Sequence, residues 1–259
     1  MKIWGNNKDK ILAIRYARGV WFLILLNHVL MLIGLYYMPS YHWLSLTFIG
    51  LFLQALGGEI GTHRYLAHRS FKTGKIRDFL LQITTILTCV GSPMVWAMFH
   101  RHHHKTSDKD GDPHSPTLMP WRKVWATVWI PAIPQPRECI DLLKDPLTFF
   151  IHKYYFHLIF LMFLLLYLID WKILIFLICV PSVYNFHGAN LGVNVICHKF
   201  GYRNFDINDN STNNTLINYL TVGAGLHNNH HAHPTRYSNK VNSNESDPNG
   251  WFIEKFLMK

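Results

Sequence analysis

Histidine is the residue type with the most chemistry to offer in this chain. Seventeen occur in 259 residues. Ten of them fall in four places: His63 and His68; His100, His102, His103 and His104; His198; and His227, His230 and His231. Neutral imidazole is a strong ligand for zinc, copper and iron. Residues three and four apart on a helix share a face. His100, His103 and His104 are therefore predicted to point one way, and so are His227, His230 and His231. Asn194 stands four residues before His198. His63 and His68 are five apart, about 140° around a regular helix. They converge only if the helix frays, bulges or ends there. His102 faces away from its neighbours' shared side.

Nine imidazoles exceed the three or four protein ligands of one zinc ion. They suit two metals with room for water or dioxygen. The isolated His28, His42, His152, His157 and His187 are expected to pack, sit at an interface or form hydrogen bonds.

These groups need elements to carry them. Apolar residues make up 49 % of the chain and charged residues 15 %, against ~25 % charged in a soluble domain. That argues against a soluble enzyme and excludes disorder. Crossing a ~30 Å hydrocarbon layer takes ~20 apolar residues as a helix. Long uncharged runs occupy 19–38, 41–58, 79–99, 154–169 and 173–197. The first two are joined at Pro39-Ser40 and the last two at Asp170-Trp171-Lys172. Run three is broken by Gly91-Ser92-Pro93. The first run is too long for a signal peptide's apolar core and has no A-x-A-like site, so it is expected to be retained. Cys89, Cys139, Cys179 and Cys197 form no C-x-x-C, so neither a disulfide framework nor a structural zinc site is expected.

Lysine and arginine number 25 and acidic residues 15, a net charge of +10. Twenty-four of the 25 basic residues share one side if runs one, two, four and five cross and run three does not. The positive-inside rule then puts both termini and the central region in the cytoplasm. The same arrangement puts all nine clustered imidazoles on that side. The fold expected is an all-α integral membrane protein. Its four transmembrane helices form two hairpins, approximately 19–38 with 41–62 and 154–169 with 173–197. A cytoplasmic helical cap of 63–153 and 198–259 completes a single domain over 1–259.

The boxes H-x4-H, H-R-x-H-H and H-N-N-H-H resemble those of the membrane-bound fatty acid desaturases, nearest the acyl-CoA and acyl-lipid enzymes of the stearoyl type. The likeness includes Gly61-Thr62-His63-Arg64-Tyr65-Leu66-Ala67-His68-Arg69-Ser70-Phe71. It also includes Ser107-Asp108, Asp112-Pro113-His114-Ser115-Pro116, Asn194 to His198, and Gly201-Tyr202-Arg203. It runs from about residue 15 to 237. The resemblance implies a cap holding a histidine-rich di-iron site with two iron ions. The implied ligands are His63, His68, His100, His103, His104, His198, His227, His230 and His231, with Asn194 reaching one iron through water. It implies that Asp112 orients a ligand from behind. No catalytic residue beyond the metal site and no organic cofactor site is expected. Gly223-Ala224-Gly225-Leu226 departs from the acidic and aromatic residues that relatives often carry before the last box.

The resemblance further implies an oxygen-dependent oxidoreductase that introduces a cis double bond into an acyl chain linked to coenzyme A, acyl carrier protein or lipid. An external donor would supply electrons: a b-type cytochrome, a ferredoxin, or a rubredoxin with its reductase. Membrane lipids are expected partners and nucleic acid is not. A bacterial inner membrane is the expected location. Trp96, Trp121, Trp125 and Trp129 are candidates to line an acyl tunnel or to anchor at the headgroups. Arg69, Lys72, Lys75, Arg122 and Lys123 are candidates for an anionic carrier or headgroups. Hydroxylation or acetylenation at the same site is the alternative outcome. A zinc membrane hydrolase, with Glu59 as general base, and a catalytically silent lipid-binding protein are the other classes.

Overall fold

A computed structural model describes residues 7–37, 42–126 and 136–259. Among these residues it is helical, with only single bridges joining Tyr202, Asn213 and Leu226. The Pro39-Ser40 turn and Trp129 lie outside the described residues.

Helix α1 (Asn7–Tyr36) is apolar over most of its length. Helix α2 (His42–Gln54) runs directly into a wider π-helical stretch, Ala55–Ala67. Three stretches are long and apolar enough to cross a membrane: Ala13–Tyr36, Trp43–Ala67 and Pro146–His198. Only 28 % of each apolar window is buried, so most of that apolar surface faces outward. A surface of that kind requires lipid.

The third stretch has 53 residues, about 80 Å if straight, against a ~30 Å hydrocarbon layer. It is not straight. Helix α7 (Pro146–Ile173) breaks at Asp170, whose backbone is extended (φ −164°, ψ 120°). A second π-helical stretch (Leu174–Cys179) and helix α8 (Val180–His187) follow. Phe156 and Phe186 pack in one cluster with Val20 and Ile24 on α1. Thirty residues of straight helix would hold those two rings about 45 Å apart. The chain therefore reverses, at the charged triplet Asp170-Trp171-Lys172.

Run three also turns back. Helix α3 (Lys75–Thr84) and helix α4 (Pro93–Thr106) meet at 86°. A short 3-10 turn, Thr85–Thr88, joins α3 to the bend, where Cys89 (φ 57°) and Gly91 (φ 110°) are left-handed. The chain leaves His68 and returns to it, with the His68 and His100 rings 4.7 Å apart. Leu66, Ala67, Met94, Ala97 and Met98 make a buried apolar floor under that junction.

The remaining elements are short: α5 (Trp121–Ala126), α6 (Pro136–Leu143), α9 (Thr215–Leu220), α10 (His227–Ala232) and α11 (Pro248–Phe252). Helices this short are marginal alone. Side-chain caps and buried polar bonds hold them instead. Asp145 caps α7 at Thr148 N, Asn214 caps α9 at Ile217 N, and Asp247 caps α11 at Gly250 N. All four cysteines are buried thiols.

Candidate metal centre

The π-helical stretch answers the spacing problem of the first box. Its hydrogen bonds run i→i+5, and His68 N donates to His63 O at 3.1 Å. Residues five apart are thereby brought round, and the two rings lie 4.9 Å apart. Gly57 makes the close packing possible, since a Cβ there would sit 2.1 Å from Thr84 O. Arg101 ties the first box to the second. It donates to Ala67 O and Leu66 O at the end of the π stretch and grips both oxygens of Asp141 on α6.

All nine clustered imidazoles come together, in two groups. His63, His68, His100, His104 and His230 form one, and His103, His198, His227 and His231 the other. Within each group the ligand atoms lie within 4.8 Å of one another. The expectation that each box points one way is therefore corrected. His100 and His104 serve one group and His103 the other. His227 and His231 serve one and His230 the other. Rings at i and i+4 are about 40° apart around a helix, whereas i+3 and i+4 are about 100° apart. One helix can thus feed two adjacent ions. His102 belongs to neither group.

The ring nitrogens converge as ligands do. Nε2 to Nε2 separations are 3.0 Å for His63 and His230, 2.7 Å for His68 and His100, and 3.0 Å for His100 and His104. They are 2.9 Å for His104 and His230 and 3.0 Å for His198 and His227. Neighbouring ligands at right angles around an ion, with bonds of about 2.1 Å, stand about 3 Å apart. His231 Nε2 is buried with no hydrogen-bond partner. A buried polar atom without a partner is costly, and a metal ion would satisfy it. The donor set thus fits two metal ions.

Burial pushes His227, His230 and His231 well below the ordinary imidazole range, and the charge of neighbouring imidazoles pushes further the same way. They are held neutral, the form that binds metal.

Four rings are oriented from behind by carboxylates, which accept only and therefore fix Nδ1 as the N–H. His63 Nδ1 donates to Glu59 at 2.9 Å and His103 Nδ1 to Asp112 at 2.9 Å. His198 Nδ1 donates to Asp108 at 2.9 Å and His231 Nδ1 to Asp209 at 2.7 Å. Their Nε2 atoms are left to face the centre. Burial pushes the Asp108 carboxyl up, but hydrogen bonds from His198, Ser115 and Asn210 N bring it below the ordinary range. Asp209 is likewise held low against burial, by Ser211. Burial prevails at Asp112 and raises it, yet both its oxygens still face N–H donors, from His103, His114 and Asp108.

Asp112 thus stands where a ligand-orienting residue is expected. Asp108 and Asp209 were not singled out for that role, being 90 and 22 residues from the rings they hold. Glu59 is not a free base. One oxygen takes His63 and the other accepts from Arg64 Nε at 3.0 Å. His114 was assigned only to a turn, yet it stacks on His103 at 4.1 Å and is buried.

The last box is held by its asparagines. Asn229 accepts from Asn204 and Asn213 and donates to Asn239 O and Glu245. Asn228 accepts from Asn204 N and Phe205 N. The preceding Gly223-Ala224-Gly225-Leu226 is a tight, buried approach. Gly223 is left-handed (φ 116°), and a Cβ there would stand 2.4 Å from Asp247 Oδ1. Leu226 is buried core, and Ala224 lines the cavity described next.

A cavity of about 620 Å³ leads to the histidines, within the usual range of small-molecule sites, ~300–1,000 Å³. His63, His100, His103, His114 and His227 contribute to its lining, and so does Asn194. Its walls include Leu51, Phe52, Trp96, Phe99, Phe186 and Phe252. Trp96 stacks on His100 with centroids 4.7 Å apart. Trp121 and Trp125 do not line the cavity. They stack on each other, and Trp125 donates to His187. Arg69, Lys72, Lys75, Arg122 and Lys123 do not line it either. Of the isolated histidines, His28 and His187 face each other with Nε2 atoms 3.1 Å apart, and His152 bonds Ser92.

The sequence profile of the family described as fatty acid desaturase matches residues 39–242. An sn-1 stearoyl-lipid 9-desaturase of Anabaena variabilis is 39 % identical over 184 residues, 68 % of this chain and 66 % of that protein. An acyl-CoA 5-desaturase of Anemone leveillei is 32 % identical over 96 % of this chain and 81 % of its own length. An sn-1 stearoyl-lipid 9-desaturase of Synechocystis is 34 % identical over 78 % of this chain and 64 % of its own.

Proposed function

The chain belongs to the fatty acid desaturase family, and on that premise we propose that its two imidazole groups hold two iron ions that desaturate an acyl chain lying in the cavity. The chain is a membrane oxidoreductase of fatty acyl groups. Its proposed topology has four spans in two hairpins, with both termini and the histidines on the cytoplasmic side. The reversal at Asp170, the fold-back of run three and the one-sided basic charge support that reading.

Removing two hydrogens from adjacent methylenes is beyond acid–base side chains. The iron pair, when bound, supplies dioxygen chemistry of sufficient power, and the protein supplies position. The balance is one saturated –CH₂–CH₂– pair, one dioxygen, two electrons and two protons, giving –CH=CH– and two waters. An external one-electron carrier of the classes named above provides the electrons.

The chain's own residues do the rest. The walls of Leu51, Phe52, Trp96, Phe99 and Phe186 hold an apolar chain and exclude water. Trp96, stacked on His100, fixes how closely a methylene pair approaches the histidines. Glu59, Asp108, Asp112 and Asp209 hold four rings in one tautomer and orientation. Asn194, among the residues lining the cavity, is the proposed residue to reach one ion through water.

The carrier supported best is a membrane lipid. Among the described residues, no lysine or arginine lines the cavity, whereas coenzyme A carries several phosphates. Phe48 and Tyr219, at the cavity, are each 70 % exposed and apolar, as a mouth open to lipid requires.

The single observation that carries the function is the convergence of nine imidazoles in two groups, four of which, His63, His100, His103 and His227, open onto an apolar cavity. Expression in a host that lacks desaturases, followed by mass spectrometry with double bonds located, tests it. New monounsaturated chains two hydrogens lighter are expected. A hydroxylated product, heavier by one oxygen, would favour hydroxylation, and an unchanged lipid profile would overturn the reading.

A further inference from the structure

We infer that the two ion positions are electrically unequal. Asp108, Asp112 and Asp209 are positioning residues that place negative charge behind one position only, the one framed by His103, His198, His227 and His231. The inference rests on the two-iron reading above.

Three of that group's four rings carry a carboxylate on Nδ1. Those carboxylates are buried, with side chains 0 %, 3 % and 9 % exposed for Asp112, Asp108 and Asp209. Their ion-pair partners are the histidines themselves. The remaining bonds to Asp108 come from neutral donors: Asn210 N, Ser115 and Thr117. Nothing in these contacts cancels the negative charge.

The five-ring group differs. Among its rings, His63 has a carboxylate behind it, Glu59, and Glu59 shares its charge with the buried guanidinium of Arg64. Arg64 is in turn held by Asp247 at 2.8 Å. Glu59, Arg64 and Asp247 together carry a net charge of −1, against −3 for the three aspartates, so the five-ring position has less negative charge behind it.

A carboxylate behind an imidazole makes the ring a more basic ligand. Negative charge near an ion in a low-dielectric interior also favours the ion's higher charge. Both effects are stronger at the four-ring position, where three rings carry a carboxylate, than at the five-ring position, where His63 carries one. The four-ring iron therefore gives up its electron first when the reduced pair is oxidised, and the five-ring iron remains ferrous longer. Loss of one of the three aspartates weakens its own iron about 10- to 100-fold and leaves the other in place.

The test is ⁵⁷Fe Mössbauer spectroscopy of the purified full chain in lipid nanodiscs. Wild type is fully reduced, then given one equivalent of ferricyanide, which takes one electron per chain. Asp209→Asn and Glu59→Gln identify which signal belongs to which position, with Asp108→Asn as a second variant should Asp209→Asn not fold. Wild type should show two distinct ferrous doublets. The one turned ferric should be the one that Asp209→Asn shifts and Glu59→Gln does not. Asp209→Glu should restore it. Oxidation spread equally over both irons, or confined to the one that Glu59→Gln shifts, would overturn the inference while leaving the two-iron reading intact. A wild-type chain that binds no iron would overturn both.

Discussion

The outward wall of α1, α2 and α7 and the interior around the histidines follow opposite rules. Phe22, Leu32, Phe160 and Leu168 are each 62–69 % exposed on the wall. What they share is apolarity and exposure. In the interior, Arg64, Arg101, Asn228 and Asn229 are matched atom by atom to particular carbonyls, carboxylates and amides. The wall is fixed by its solvent and tolerates exchange. The interior is fixed by individual bonds and does not, because buried polar groups left unpaired are costly.

Substitutions should separate the two regions in a definite order. His230→Ala stands first. His230 Nε2 lies within 3.0 Å of both His63 Nε2 and His104 Nε2. Its loss should abolish desaturation in the host assay and remove the iron of the five-ring group, read by metal analysis.

Arg64→Ala comes next. The side chain is 1 % exposed and bridges Glu59 and Asp247. Its removal leaves the buried Asp247 carboxylate without its counter-ion and Glu59 with His63 alone, so a loss of about 3–5 kcal/mol is expected in unfolding of the detergent-solubilised chain. Asn229→Ala should cost less, about 2–3 kcal/mol, because the groups it leaves unpaired are mostly neutral. Phe160→Leu on the wall should change stability by no more than about 0.5 kcal/mol. A wall substitution that destabilised as much as Asn229→Ala would erase the distinction.

The two regions were also unequally legible in the sequence. The wall was readable from composition, because a run of ~20 apolar residues has few other uses. The reversal at Asp170 was readable too, since Asp170 and Lys172 interrupt an otherwise uncharged run. Residue type and spacing also picked out all nine imidazoles. Their division into two groups was not readable. Shared-face counting treats i+3 and i+4 alike, whereas His103 and His104 diverge enough to serve separate groups. The five-residue spacing of His63 and His68 already called for a break from regular helix, and the π-helical stretch supplies it. The carboxylates were the hardest. Glu59, four residues before His63, reads in the sequence as a general base, whereas its bonds to His63 and Arg64 make it a support. No spacing rule links Asp108 to His198 or Asp209 to His231. Those pairs exist only once helices distant in sequence are packed together.

The central claim, that nine imidazoles hold two irons, is tested most directly by metal analysis of the chain purified from membranes and reconstituted with ferrous iron under argon. The structure predicts two irons per chain. His103→Ala and His230→Ala should each retain about one, since each removes a ligand from a different group. A single zinc ion per chain, unchanged in both variants, would contradict it.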